Sequence, residues 1–213
     1  TAYHCGLVGK NIIEKQLRIP VIADIASEFR YRDPIIGPED LVIVISQSGE
    51  TADTIAAMKL AQSRGAKVLA ICNVVGSTIA READFVCYTW AGPEISVCST
   101  KAYVSQLMMT YILILDIARK RGIFDDARIS AALKELSALP EKNRELFEHK
   151  EKIQQFASRN YGRESVFFIG RGLDYAIAQE ASLKLKEISY IHSEALAAGE
   201  LKHGTIALLE EGT

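Results

Sequence analysis

Three hydroxyl side chains, an amide and a glycine stand together in Ser46-Gln47-Ser48-Gly49-Glu50-Thr51. The segment follows the β-branched run Leu41-Val42-Ile43-Val44-Ile45 and precedes a stretch with Ile55, Met58 and Ala61 at helical spacing. A strand that hands over to a helix leaves free amides and partial positive charge at the helix N-terminus, which attracts anions. Ser46, Ser48 and Thr51 add hydroxyl donors, and Gly49 permits a tight turn. The loop has no lysine and does not fit G-x-x-x-x-G-K-[ST], which disfavours a nucleoside triphosphate loop and suits a monophosphate ester. On residue chemistry alone a second reading stays open: Ser48 or Thr51 simply caps the helix.

Two further groups could move protons. Lys184 and Glu187 lie three residues apart, on one face of an expected helix. From spacing alone they read as an exposed ion pair worth a few tenths of a kcal/mol. His203 offers an imidazole, a side chain often used to move protons, but a lone histidine reads first as a structural one.

The elements that position these groups alternate. Helical spacing runs over residues 5–17. Strand signals follow at Pro20–Ile25, Leu41–Ile45, Lys67–Cys72 and Asp84–Tyr88. The Leu41–Ile45 run is expected to be buried on both faces. A long helix spans about Ser99 to Arg121, with a stripe at Tyr103, Leu107, Tyr111, Ile114 and Ile117/Ala118. Strands separated by helices predict an α/β fold with a doubly wound parallel sheet flanked by helices. The charged stretch 125–158 predicts two helices meeting at Pro140. A second strand–turn–helix begins at Val166-Phe167-Phe168-Ile169-Gly170-Arg171-Gly172 and repeats the rhythm of Val42 to Gly49. The expected organisation is a first subdomain at 1–122, a helical linker at 123–160 and an incomplete second subdomain at 161–213. The chain is expected to be a fragment, and the apolar run near its end reads as a strand.

The bulk numbers limit the classes. The chain has 213 residues, 48% apolar and 24% charged, with a net charge of -2. That fits a soluble core and points to neither nucleic acid nor an anionic membrane. No apolar run approaches the roughly 20 residues of a membrane span. Cys5, Cys72, Cys87 and Cys98 form no C-x-x-C pair, so neither a disulfide framework nor a metal site is expected, and a reducing cytoplasm is the simplest compartment.

Five segments in order carry a resemblance: Ala23–Arg32, Ser46–Thr54, Glu94–Ala102, Leu185–His192 and Ala198–Gly204. Together they resemble the isomerase (SIS) half of the glucosamine-6-phosphate synthase family over essentially the whole chain. The resemblance implies a flavodoxin-like sugar-phosphate subdomain followed by the start of a second. It implies that Ser46, Gln47, Ser48 and Thr51 contact the phosphate of fructose 6-phosphate or glucosamine 6-phosphate. Thr1 and Ala2 would also line it, Ala2 through its backbone only. Val97 and Ser99 would meet sugar hydroxyls, although Ser99 also reads as an N-cap. Glu187 is implied as the base between sugar carbons 1 and 2, with Lys184 in support. His203 is implied as the ring-opening group, reaching the site from the other subunit of a homodimer. No cofactor is implied. The glutaminase half and the lysine that forms a Schiff base with the sugar lie outside this chain, so it is expected to be inactive alone. Alternatives are a related SIS-type isomerase or deglycase, or a non-catalytic sugar-phosphate sensor; the latter predicts a fused helix-turn-helix, and none is visible.

Overall fold

The computed structural model describes residues 1–210. The chain divides into two compact units, Thr1–Ile114 and the residues from Leu115 on. In the first, β1 (Leu41–Ser46), β2 (Lys67–Cys72) and β3 (Phe85–Tyr88) pair in parallel in the order β1-β2-β3. The register sets Ser46 against Cys72 and Cys72 against Tyr88, so the carboxyl ends of the three strands lie in one row. Ligands of open parallel sheets bind outside that edge.

The crossover helix α3 (Ala52–Ser63) buries Ala57, Met58 and Ala61, as its apolar spacing predicts. They join Val44, Val68, Ala70 and Ile79 in one core. Met58 is fully enclosed, and truncating such a side chain to alanine costs about 2–5 kcal/mol. Burial on both faces, expected of β1, belongs instead to β2, where Val68 to Cys72 are all buried. β1 lies at the edge of the three-stranded sheet, and its Leu41 is half-exposed.

The strand expected at Pro20–Ile25 does not form. Side chains of α1 (Ala2–Leu17) take over the hydrogen bonds a neighbouring strand would supply: Lys10 Nζ donates to the Val21 carbonyl at 2.8 Å, and the Val21 amide donates to Glu14 Oε1 at 3.1 Å. A short helix, α2 (Ala26–Tyr31), follows. The long helix α5 (Lys101–Lys120) is present and buries Ile114 and Ala118 as expected, but its stripe begins with Ala102, Gln106 and Thr110, one position before the apolar Tyr103, Leu107 and Tyr111. Close approach explains the shift. A Cβ on Gly9 of α1 would stand 3.0 Å from Thr110 Cγ2, so small residues line the contact. The Thr110 hydroxyl donates to the Gln106 carbonyl at 2.8 Å and meets Cys5 Sγ at 3.4 Å.

In the second unit, α6 (Asp126–Leu146) starts on an N-cap, Asp125, whose carboxylate accepts the Arg128 amide at 2.7 Å. Pro140 does not end it; the helix runs on to Leu146, and a 3-10 turn at Phe147–His149 separates it from α7 (Lys150–Asn160). Proline removes one backbone donor, and Pro140 is exposed, so water can satisfy the carbonyl left behind. Then β4 (Ser165–Gly170) leads into α8 (Leu173–Ser189), and β5 (His192–Ala197) pairs parallel to β4 with Gly170 against Ala197. β5 was not expected. The apolar run read as a final strand is a 3-10 turn at Thr205–Leu208.

Candidate functional site

The loop after β1 is held from within. Ser46 is buried, and its hydroxyl accepts the Gly49 amide at 3.0 Å and lies 3.3 Å from Thr51 Oγ1. Ser48 Oγ accepts the Glu50 amide at 3.2 Å. Gly49 sits at φ 69°, and a Cβ there would fall 2.0 Å from Ser77 Oγ, so only glycine fits. The loop also docks on α4 (Thr78–Glu82): the Ile79 amide donates to the Gly49 carbonyl at 3.0 Å, and the Thr78 amide to Glu50 Oε1 at 2.7 Å. The Thr78 amide, then its side chain, hold the Glu50 carboxyl below its ordinary range.

Thr51 occupies the N-cap position of α3, yet no side chain caps that helix. Ser48 serves the Glu50 amide ahead of the helix, and Thr51 turns to Ser46. The first-turn amides and the hydroxyls therefore face the same end of β1 and suit an anion. Asp53 lies in that first turn, where a carboxylate would oppose one, but Arg30 Nη1 holds it at 2.7 Å.

A second segment crosses the same sheet edge. Asn73, just past β2, donates its backbone amide to the Gln47 carbonyl at 3.2 Å. Its side chain bonds Thr89, Ala91 and Gly92. Residues 89–100 run on from β3, with the Val97 side chain almost fully exposed. Ser99 is not the cap of α5, which begins at Lys101; Glu94 Oε2 accepts the Ala102 amide at 3.0 Å instead. Thr1 is the N-cap residue of α1, and its carbonyl accepts the Cys5 amide at 3.0 Å; Ala2 opens that helix.

In the second unit, Lys184 Nζ lies 2.6 Å from Glu187 Oε2 and 3.5 Å from Glu180 Oε1. Residues 180, 184 and 187 share one face of α8, since helical neighbours recur at three and four. The pair is not the exposed bridge that spacing suggests: the Lys184 and Glu187 side chains are 18% and 25% exposed, and Glu180 is buried. His203 lies in the turns after β5; its amide donates to the Glu200 carbonyl at 2.9 Å, and its side chain is exposed.

Sequence reading missed Glu50, Asn73, Ser77 and Glu180. Only Glu180 carried a signal, its i,i+4 spacing to Lys184. Among the described residues no group of His, Cys, Asp or Glu could hold a metal ion, and no helix is long and apolar enough to cross a membrane. A surface depression along α7, lined by Glu151, Gln154, Gln155, Ser158 and Arg159, contains none of the candidate residues.

Comparison with known proteins gives a consistent set of matches. The SIS domain family matches residues 1–116 and 161–213. The chain is 62% identical over its 213 residues to a glutamine–fructose-6-phosphate aminotransferase (isomerizing) of Caldanaerobacter subterraneus subsp. tengcongensis, and 60% identical to that of Clostridium acetobutylicum. It spans 35% of the length of each. Among solved structures, the C-terminal domain of glucosamine-fructose-6-phosphate aminotransferase from Francisella tularensis aligns with a TM-score of 0.95 at 40% identity, over 99% of this chain and 59% of that one.

Proposed function

The chain belongs to the SIS domain family, and on that premise we propose that it is the sugar-phosphate isomerase module of an enzyme that makes glucosamine 6-phosphate from fructose 6-phosphate and glutamine. The observation that carries the reading is the uncapped N-terminus of α3 beneath the Ser46, Ser48 and Thr51 hydroxyls. Relatives of that name, 62% and 60% identical across the whole chain, support it.

In this reading the phosphate rests on Ser46, Gln47, Ser48 and Thr51, with Thr1 and the backbone of Ala2 also lining it. The main chain at Val97 and Ser99 takes the sugar hydroxyls. Glu187 removes the proton beside the carbonyl and returns it to the adjacent carbon, which exchanges a ketose for an aldose. The Lys184 ammonium at 2.6 Å holds that carboxylate in place. His203 moves the proton from the anomeric hydroxyl to the ring oxygen. Its exposed ring suits delivery to the site of a second subunit, so the working unit is a homodimer. The organisation follows as a sugar-phosphate subdomain at 1–122, a helical linker at 123–160 and the start of a second subdomain at 161–213, in a cytoplasmic enzyme. Glutamine hydrolysis belongs to the remainder of that enzyme.

The test is calorimetric binding of fructose 6-phosphate to this chain and to its Ser46→Ala/Ser48→Ala/Thr51→Ala variant. Hydrogen bonds to a charged group contribute about 1.5–3 kcal/mol each, so the variant should lose at least about 100-fold in affinity. Equal affinity in the two proteins would refute the reading.

A further inference from the structure

We infer that Asn73 is a positioning residue that fastens the sugar-contacting segment to the phosphate loop; the inference rests on the function proposed above and assigns it a residue of its own. All the polar groups of Asn73 but its carbonyl point at these two segments. Its amide donates to the Gln47 carbonyl at 3.2 Å. Its Oδ1 accepts the Ala91 amide at 2.8 Å and the Thr89 hydroxyl at 3.2 Å. Its Nδ2 donates to the Gly92 carbonyl at 2.7 Å. The orientation of the side-chain amide is fixed by its partners, since a backbone amide only donates and a carbonyl only accepts.

The segment needs such a fastening. Between Thr89 and Ala91 lies Trp90 at φ 53°, a left-handed conformation that strains a bulky residue. Trp90 is 76% exposed and leans on Tyr88 with ring centroids 5.7 Å apart, so burial does little to hold it. Asn73 grips the residues on both sides of the strained one. At its far end the segment is tied by Glu94 to the Ala102 amide. Asn73 and Glu94 thereby bracket the stretch that leads to Val97 and Ser99. Asparagine suits the position because an amide both accepts and donates; aspartate would only accept, and alanine would do neither.

Asn73→Ala separates the two ends of the site, because the backbone bond to Gln47 survives and the side-chain bonds do not. Affinity for fructose 6-phosphate should fall about 10-fold while affinity for inorganic phosphate stays within twofold. Trp90 is the only tryptophan, so its fluorescence anisotropy should fall in Asn73→Ala as the segment loosens. Asn73→Asp keeps two accepted bonds and sets a carboxylate against the Gly92 carbonyl; it should fall between the two, which guards against misfolding of the alanine variant. Unchanged fructose 6-phosphate affinity in Asn73→Ala, or an equal loss for inorganic phosphate, overturns the inference. If the unmodified chain binds no hexose phosphate, the proposed function falls instead, and unchanged Trp90 anisotropy in Asn73→Ala still overturns the fastening.

Discussion

The chain contains two strand–turn–helix junctions of the same rhythm, and they are built for different ends. From β1 to α3 the chain takes the five-residue path Gln47–Thr51; from β4 to α8 it takes only Arg171–Gly172. The first junction sets three hydroxyls, Ser46 at the strand end and Ser48 and Thr51 in the loop, over an uncapped helix. The second carries no hydroxyl. Its strand end is pressed onto the helix so closely that a Cβ on Gly170 would lie 2.5 Å from the Asp174 carbonyl carbon. There the Asp174 amide is already committed to the Arg171 carbonyl at 3.1 Å, and the Gly170 carbonyl accepts the Ala198 amide at 2.8 Å. A shared scaffold therefore does not imply a shared site: room at the helix start and unspent donors decide whether a junction can hold an anion. In the second unit the groups suited to chemistry sit instead along α8, where Lys184 holds Glu187.

The sharpest way to break this division of labour is Glu187→Gln in the full-length enzyme. The amide keeps an acceptor for Lys184 but cannot take a proton, so turnover should fall about 100- to 10,000-fold, with KM for fructose 6-phosphate changed little and glutamine hydrolysis spared. Turnover within tenfold of the unmodified enzyme would move the base elsewhere. Next comes a matched pair of glycine substitutions. Gly49→Ala meets both a positive φ and the Ser77 side chain. It should cost at least tenfold in fructose 6-phosphate affinity, about 1.4 kcal/mol. Gly170→Ala meets only helix backbone; overpacking should lower the stability of the second unit by about 1–3 kcal/mol and leave affinity within twofold. Calorimetry and thermal unfolding read both, and a loss of binding in Gly170→Ala would erase the contrast.

Both junctions were legible in the sequence because an apolar run changes abruptly to glycine and polar residues at Ser46 and at Gly170. What lay beyond them depended on tertiary contacts. β5, His192-Ser193-Glu194-Ala195-Leu196-Ala197, has little intrinsic strand preference; pairing with β4 creates it, and the Ser193 hydroxyl fixes it to the Ser182 carbonyl at 2.8 Å. The first half of the stripe that α5 buries was misread because hydrophobicity favours Tyr103 and Leu107, while the approach of Gly9 demands small residues; Ile114 and Ala118 are buried as expected. Pro20–Ile25 has the composition of a strand but gives its hydrogen bonds to α1. The role of Asn73 comes from three partners 16 to 19 residues away, and no local pattern marks it.

A smaller effect tests how the first loop is docked. The Glu50 carboxyl is held below its ordinary value by the Thr78 amide. A carboxyl lowered in the folded state adds stability that is complete above its unfolded pKa and is lost as pH falls through the folded one. The melting temperature of the unmodified chain should therefore decline relative to Glu50→Gln below about pH 4.5. Glutamine keeps an acceptor for Thr78 without the charge. Parallel melting curves for the two across that range would show that the loop docks without help from the charge.

The smallest effect concerns Asp53, the one carboxylate in the first turn of α3. Asp53 should repel a phosphate, and the Arg30 guanidinium at 2.7 Å offsets it. Both side chains are more than a third exposed, so the pair itself contributes little to stability. Its consequence is local charge. Removing the cation with Arg30→Ala leaves an unpaired carboxylate in the first turn of α3, and repulsion between exposed charges in water stays at about 1 kcal/mol or less. Fructose 6-phosphate affinity should fall roughly twofold at low salt and recover as ionic strength rises and screening shortens its reach. Adding Asp53→Asn to Arg30→Ala should restore it, since the repelling charge is then gone. The counterpart acid in α8, Asp174, faces no such demand: Asp174→Asn should leave fructose 6-phosphate affinity unchanged. A loss in Arg30→Ala that neither salt nor Asp53→Asn relieves would mean that Arg30 acts through the shape of the loop and not through its charge.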